Sequence, residues 1–187
     1  MKSLSVLSLV AVMAVATSLS AEELKSGPQV GDGIGAFYVT KCAGAEDDGV
    51  AEGKNLCYRC KNGSRPQVMV FTRSTSGKVA DLVKKLDAAI AKHEDAELRA
   101  FVNLMGDSKE DLSDSAKEFA AKTKATNVPF VVPNEFENGP DNYGINAKAE
   151  VTVVIAAQRG VKANYAVAKA ADLDVAAVLA DVAKVVN

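Results

Sequence analysis

Histidine occurs once in the 187 residues, as His93. A lone imidazole restricts acid–base chemistry near neutral pH and leaves no Ser-His-Asp set to assemble. No paired carboxylates fall at a spacing that argues for general acid–base work. Charge of one sign is lacking too: 22 Lys and Arg face 24 Asp and Glu, a net charge of −2 spread along the chain. This excludes the basic footprint of a nucleic-acid binder and the basic amphipathic helix of a membrane-surface protein. Beyond the N-terminus no run is apolar for the about 20 residues that a membrane span requires. No cofactor motif is present. Gly31-Asp32-Gly33-Ile34-Gly35 has the glycines of a phosphate loop. It precedes a strand-like run instead of joining a strand to a helix, and so reads as lead-in. Cysteine is scarce: Cys42, Cys57 and Cys60 are the three. The odd count leaves one thiol free, metal-bound or paired with another chain.

The N-terminus carries an export pattern. Lys2 supplies a positive start, Leu4 to Val15 an uncharged apolar run, and Ser18-Leu19-Ser20-Ala21 small residues before Glu22-Glu23. This order predicts a cleaved signal peptide over residues 1–21 and a secreted or periplasmic protein, with no membrane attachment after cleavage. No cysteine follows the apolar run to take a lipid anchor. The remaining chain suits one domain with a proper core. Residues 22–35 are polar and Gly-rich, a flexible lead-in to a domain over 36–187. An exported chain meets an oxidising compartment, where disulfides persist.

Periodicity supplies the elements. Ala36 to Thr40 is strand-like, and residues 43–56 read as a surface loop or loose hairpin between Cys42 and Cys57. Gln67 to Thr72 is a continuous apolar run, as a central strand buried on both faces requires. Val79, Leu82, Val83, Leu86 and Ile90 recur at helical spacing within 77–93. Residues 98–105 form the next strand. Ser108 opens a helix to about Ala125, with Asp111 in the capping-box position. Val128 to Val132 is a short strand, assigned to an edge because of Pro129. Residues 151–157 and 161–168 form a hairpin across Gln158-Arg159-Gly160, and an amphipathic helix over 172–186 closes the chain. Alternating strands and helices predict an α/β protein built on parallel βαβ units. The expected sheet has five strands, in the order 128–132, 98–105, 67–72, 151–157, 161–168.

This order resembles the thioredoxin fold, and more closely its peroxiredoxin-like (redoxin) branch. Val30-Gly31-Asp32 with Ala36-Phe37-Tyr38-Val39 is similar to the redoxin N-terminal segment, and Val68-Met69-Val70-Phe71 to the central strand. Tyr143-Gly144-Ile145-Asn146, Val151 to Ile155 and Gln158-Arg159-Gly160-Val161 are similar to the redoxin ending. The resemblance spans residues 30–186 and implies a central mixed five-stranded sheet flanked by helices, here with an N-terminal hairpin extension. It also implies a reactive cysteine just after the central strand, where a helix N-terminus stabilises a thiolate. That stretch reads Thr72-Arg73-Ser74-Thr75-Ser76-Gly77-Lys78, without cysteine. Glu150-Val151-Thr152 stands where the thioredoxin cis-proline would fall.

Chemistry therefore rests on Cys57-Tyr58-Arg59-Cys60. The next residue is Lys61, not histidine, which excludes c-type haem attachment. Three readings stand. Cys57 and Cys60 form a redox-active pair, with Cys42 as a third thiol, protein thiols or disulfides as partners and Arg59 favouring a thiolate. By resemblance to thioredoxins, Cys57 would attack and Cys60 resolve. Alternatively, Cys42 pairs with Cys57 or Cys60 in a structural staple. Or Cys42, Cys57, Cys60 and His93 hold a structural zinc. The pair precedes the central strand, opposite the usual active pole, unless its loop folds back. Arg73, Ser74, Thr75 and Ser76 form a candidate anion site at a helix start, or an ordinary N-cap. The function expected is thiol–disulfide exchange through a displaced C-x-x-C. The alternative is a non-catalytic binding or scaffold protein with structural cysteines.

Overall fold

The computed structural model describes residues 24–187. The expected signal segment, 1–21, lies outside them. In chain order the elements are β1 (Val39–Ala43), β2 (Asn55–Leu56), α1 (Tyr58–Asn62), β3 (Gln67–Thr72), α2 (Gly77–Lys92), β4 (Arg99–Leu104), α3 (Lys109–Thr123), β5 (Phe130–Pro133), β6 (Val151–Ala157), β7 (Gly160–Val167) and α4 (Val175–Val186). Every residue of β3 is buried, as its unbroken apolar run requires. At the start of α3, Ser108 occupies the N-cap and accepts a hydrogen bond from the Asp111 amide.

All strands join one sheet in the order β2-β1-β5-β4-β3-β6-β7. The five strands expected from sequence are present in the expected order. The sheet nevertheless has seven strands, not five, because the N-terminal hairpin β1–β2 does not stand apart. Strand β1 pairs antiparallel with β5 and extends the sheet. This moves β5 from the edge to the interior. Proline does not prevent it, since Pro129 precedes the ladder, whose β4 partners are Phe130 and Val131. Strands β3, β4 and β5 are parallel, and β6 and β7 run against them.

The crossovers β3-α2-β4 and β4-α3-β5 step the same way across the sheet. Right-handed connections then put both helices on one face. There α2, α3 and α4 bury Val79, Leu86, Phe119, Val178 and Val182 against Val68, Val102, Phe130 and Ile155. Among the described residues, the other face has no long helix. Ile34, Phe37, Tyr58, Tyr143 and Ile145 roof it, packing on Met69, Phe71, Phe101 and Val154. The segment read as a flexible lead-in forms part of that roof and is fastened. The Ser26 hydroxyl bonds the Thr152 hydroxyl at 2.6 Å, and Asn164 Nδ2 donates to the Ser26 and Pro28 carbonyls at 2.9 Å. Further along, Gly31 N donates to Val161 O, Val161 N to Asp32 O and Ile34 N to Arg159 O.

Candidate functional site

The C-x-x-C is built into the single turn of α1. Cys57 is the N-cap residue in extended conformation, and its sulfur accepts the Cys60 amide at 3.0 Å. Gly63 ends the turn at φ 64°, a backbone state that side chains rarely adopt, and returns its N–H to the Cys60 carbonyl. This one turn brings the two Cα atoms to 5.1 Å, and Cys57 and Cys60 are joined as a disulfide. The two halves differ in access: Cys57 is 8% exposed, whereas Cys60 lies open to solvent.

A buried charge holds this turn in place. Lys41, on β1, is only 2% exposed, yet its ammonium donates to Ala45 O at 2.8 Å, Asp48 Oδ1 at 2.9 Å and Val50 O at 2.7 Å. Three acceptors match the three N–H donors, so the charge is paired and fully hydrogen-bonded. Asp48 turns its second oxygen to the Tyr58 hydroxyl at 2.5 Å. Tyr58, between the two cysteines, is buried and stacks on Phe101 with ring centres 5.7 Å apart. Burial first, and the Asp48 carboxylate second, push its phenol well above the ordinary tyrosine range. Residues 44–56 are thus folded around the Lys41 ammonium, and Tyr58 ties the disulfide turn to that centre.

The C-terminal residue of the turn meets the end of β3 where the strand begins, Asn62 donating to Gln67. Its N-terminal side follows Leu56, which pairs with Val39 opposite Pro133 at the last residue of β5, and Tyr58 stacks on Phe101 midway along β4. The position that the resemblance implies for a reactive cysteine lies at the other pole, where β3 ends. At that other pole, Arg73 N donates to Glu150 O, and the Glu150 carboxylate accepts the Ala170 amide. Ser76 is the N-cap residue of α2, but its side chain makes no cap bond. The neighbouring hydroxyls bond locally: Thr72 Oγ1 to Ser74 O, and Ser74 Oγ to Ser76 Oγ. Arg73, Ser74, Thr75 and Ser76 therefore stand together at this helix start.

Cys42 is free and buried. It does not staple the hairpin, because Cys57 and Cys60 pair with each other. It packs in the helix-covered core, whereas Tyr58 lies in the core of the opposite face. Burial raises its thiol pKa, partly offset by a Ser113 hydrogen bond and by the Lys117 charge. The four-residue zinc set is not assembled either. Its two C-x-x-C sulfurs are bonded to each other, His93 caps the end of α2, and no group of three His, Cys, Asp or Glu among the described residues could hold a metal.

No known family model matches the chain, and no curated protein matches it in sequence. Solved structures do match in shape. A protein described as the thiol:disulfide interchange protein DsbE, from Chlorobium tepidum, superposes with a TM-score of 0.60 over 85% of this chain and 99% of its own, at 15% identity. Mycobacterium tuberculosis AhpC gives 0.59 over 84% and 97%, also at 15% identity. A Xanthomonas campestris peroxiredoxin Q variant gives 0.54 over 80% and 91%, at 14% identity. The fold is the thioredoxin fold. Within it, the chain has no cysteine just after the central strand and carries a Cys57–Cys60 disulfide before it. Among the described residues no helix is long and apolar enough to cross a membrane.

Sequence reasoning found the C-x-x-C but missed Lys41, Asp48 and Tyr58. A lysine and an aspartate in a polar, Gly-rich stretch read as solvated. Only Lys41's place at an inward strand position hinted otherwise, and periodicity over so short a strand is weak.

Proposed function

We propose that this chain is an exported thiol–disulfide oxidoreductase that exchanges with protein thiols through Cys57 and Cys60. The observation that carries the reading is a disulfide closed within one helical turn, with one buried and one exposed member. An incoming thiolate attacks the Cys60 sulfur, because that residue faces solvent. The Cys57–Cys60 bond breaks, and Cys57 leaves as a thiolate that the Cys60 amide is already placed to hydrogen-bond. A second thiolate of the partner then attacks the partner's own sulfur in the mixed disulfide and releases Cys60. The partner dithiol loses two electrons and two protons, and the protein disulfide takes up both to become a dithiol. This reverses the roles that likeness to thioredoxins implies: Cys60 makes the mixed disulfide and Cys57 resolves it. The export pattern of residues 1–21 and the oxidised pair agree with work outside the cytoplasm.

Mixing the oxidised protein with a dithiol peptide tests this. Wild type should oxidise the peptide and Cys60→Ser should lose the reaction. Offered the disulfide form of the peptide instead, Cys57→Ser, whose Cys60 thiolate attacks that disulfide but has no second cysteine to resolve the product, should accumulate a mixed disulfide on Cys60, detectable by intact mass. A wild-type rate no greater than that of an unstructured C-x-x-C peptide would sink the proposal.

A second reading, a non-catalytic protein with a structural disulfide, draws on the burial of Cys57 and the anchoring of Tyr58. It predicts no exchange with the peptide and a lower melting temperature on reduction. A ring this small constrains the unfolded chain by about 2 kcal/mol.

A further inference from the structure

A groove of about 400 Å³ runs beside α1. Lys61 and Asn62 of α1, Arg65, Arg99 at the start of β4, Asn127 and Asp47 line it. Its charges do not cancel. Arg65 and Arg99 share one carboxylate, Glu97, at 2.9 and 3.7 Å. Lys61 is exposed and has no carboxylate within ion-pair distance among the described residues. On the acidic side, Asp48 is already committed to Lys41 and Tyr58, which leaves Asp47 alone. The donors are also pre-arranged. Arg65 Nη1 is held near the Lys61 and Asn62 carbonyls at 3.4 Å, and Arg99 Nη1 donates to Leu98 O at 2.9 Å. Asn62, only 6% exposed, donates to Gln67 Oε1 at 3.4 Å, which orients its amide at the groove wall. Fixed guanidiniums lose less freedom when they meet a carboxylate.

We propose that this groove docks a carboxylate-bearing segment of the polypeptide that exchanges with Cys60. The proposal rests on the exchange reading above and names its substrate class: acidic residues close to the reacting cysteine. Cys60 and Lys61 are neighbours on one turn. At about 3.3 Å per extended residue, a segment whose cysteine sits at Cys60 reaches the groove within roughly three to five residues.

The test uses the oxidised mature protein and two synthetic single-cysteine peptides, alike except for glutamate or glutamine four residues from the cysteine. At low salt the acidic peptide should open the disulfide about fivefold faster, the effect of two exposed ion pairs. The ratio should fall towards one at high salt and in a Lys61→Gln/Arg99→Gln double variant, while Lys61→Arg retains it. Equal rates at low salt, or a preference that survives in the double variant, overturn the proposal. Binding of the same two peptides with serine in place of cysteine, followed by fluorescence anisotropy, separates docking from chemistry. If neither cysteine peptide reacts, the exchange reading fails. Tighter binding of the acidic serine peptide then still supports the groove, and equal binding overturns it.

Discussion

Lys41 and Cys42 are adjacent in sequence and have opposite fates. The lysine points into residues 44–56 and finds three acceptors. The cysteine points under α3 and finds an apolar core. Asp48→Ala leaves a buried ammonium without its carboxylate, a change worth about 3 kcal/mol or more. Thermal unfolding should register this as a fall of roughly 6 to 12 °C. A loss below a degree or two would mean that Lys41 escapes to water. For Cys42, the native oxidised protein should show no thiol reactive towards Ellman's reagent, unfolding should expose one, and reductant with denaturant should expose all three. The raised Cys42 pKa also fixes a sign. Below the ordinary value of 9.0 the thiol is neutral in both states. As pH rises past it the unfolded chain ionises first, so stability is lost above about pH 9, and Cys42→Ala should blunt the onset. A pH-independent melting temperature over that range would contradict the burial.

Two helix starts compete for the role of active element. The start of α2 occupies the usual position and has hydroxyls in place of a thiol. A serine hydroxyl does not readily ionise and cannot form a disulfide, so Ser76→Ala should leave peptide oxidation within about twofold of wild type. A large loss would move the active element back to α2. The short turn α1 bears both sulfurs but cannot stand alone, since one turn is far below the length at which a helix holds itself together. Its stability comes from Tyr58 on Phe101, from Asp48 and Lys41, and from the Gly63 terminus. The disulfide turn is thus as rigid as the loop around Lys41 makes it.

Across the whole molecule, the end of the sheet where β3 finishes is closed by Arg73 against Glu150. The disulfide turn runs from beside Leu56 towards the start of β3, where the cationic groove lies. One sheet face is covered by three helices and the other by chain that is mostly irregular, including residues 26–34. The N-terminal pattern predicts export, with the mature protein beginning at Ala21 or Glu22. Intact-mass measurement on exported material checks this, and retention of residues 1–19 would contradict it.

The order of strands β3 to β7 was legible in the sequence because each element carries its own period and short connections limit the topology. The apolar run of Gln67–Thr72, the three-and-four spacing in α2 and the Ser108 cap are local signals. So was the capacity of Cys57 and Cys60 to close a disulfide, since their spacing suits one turn. What lay beyond the sequence was the pairing of the N-terminal hairpin with the rest of the sheet. The place of β1 beside β5 depends on backbone groups that any residues could supply, so no pattern announces it. The burial of Lys41, the exclusion of Cys42 and the different access of Cys57 and Cys60 follow from that pairing. Local periodicity reports which face a residue prefers, and only the assembled sheet decides what covers that face.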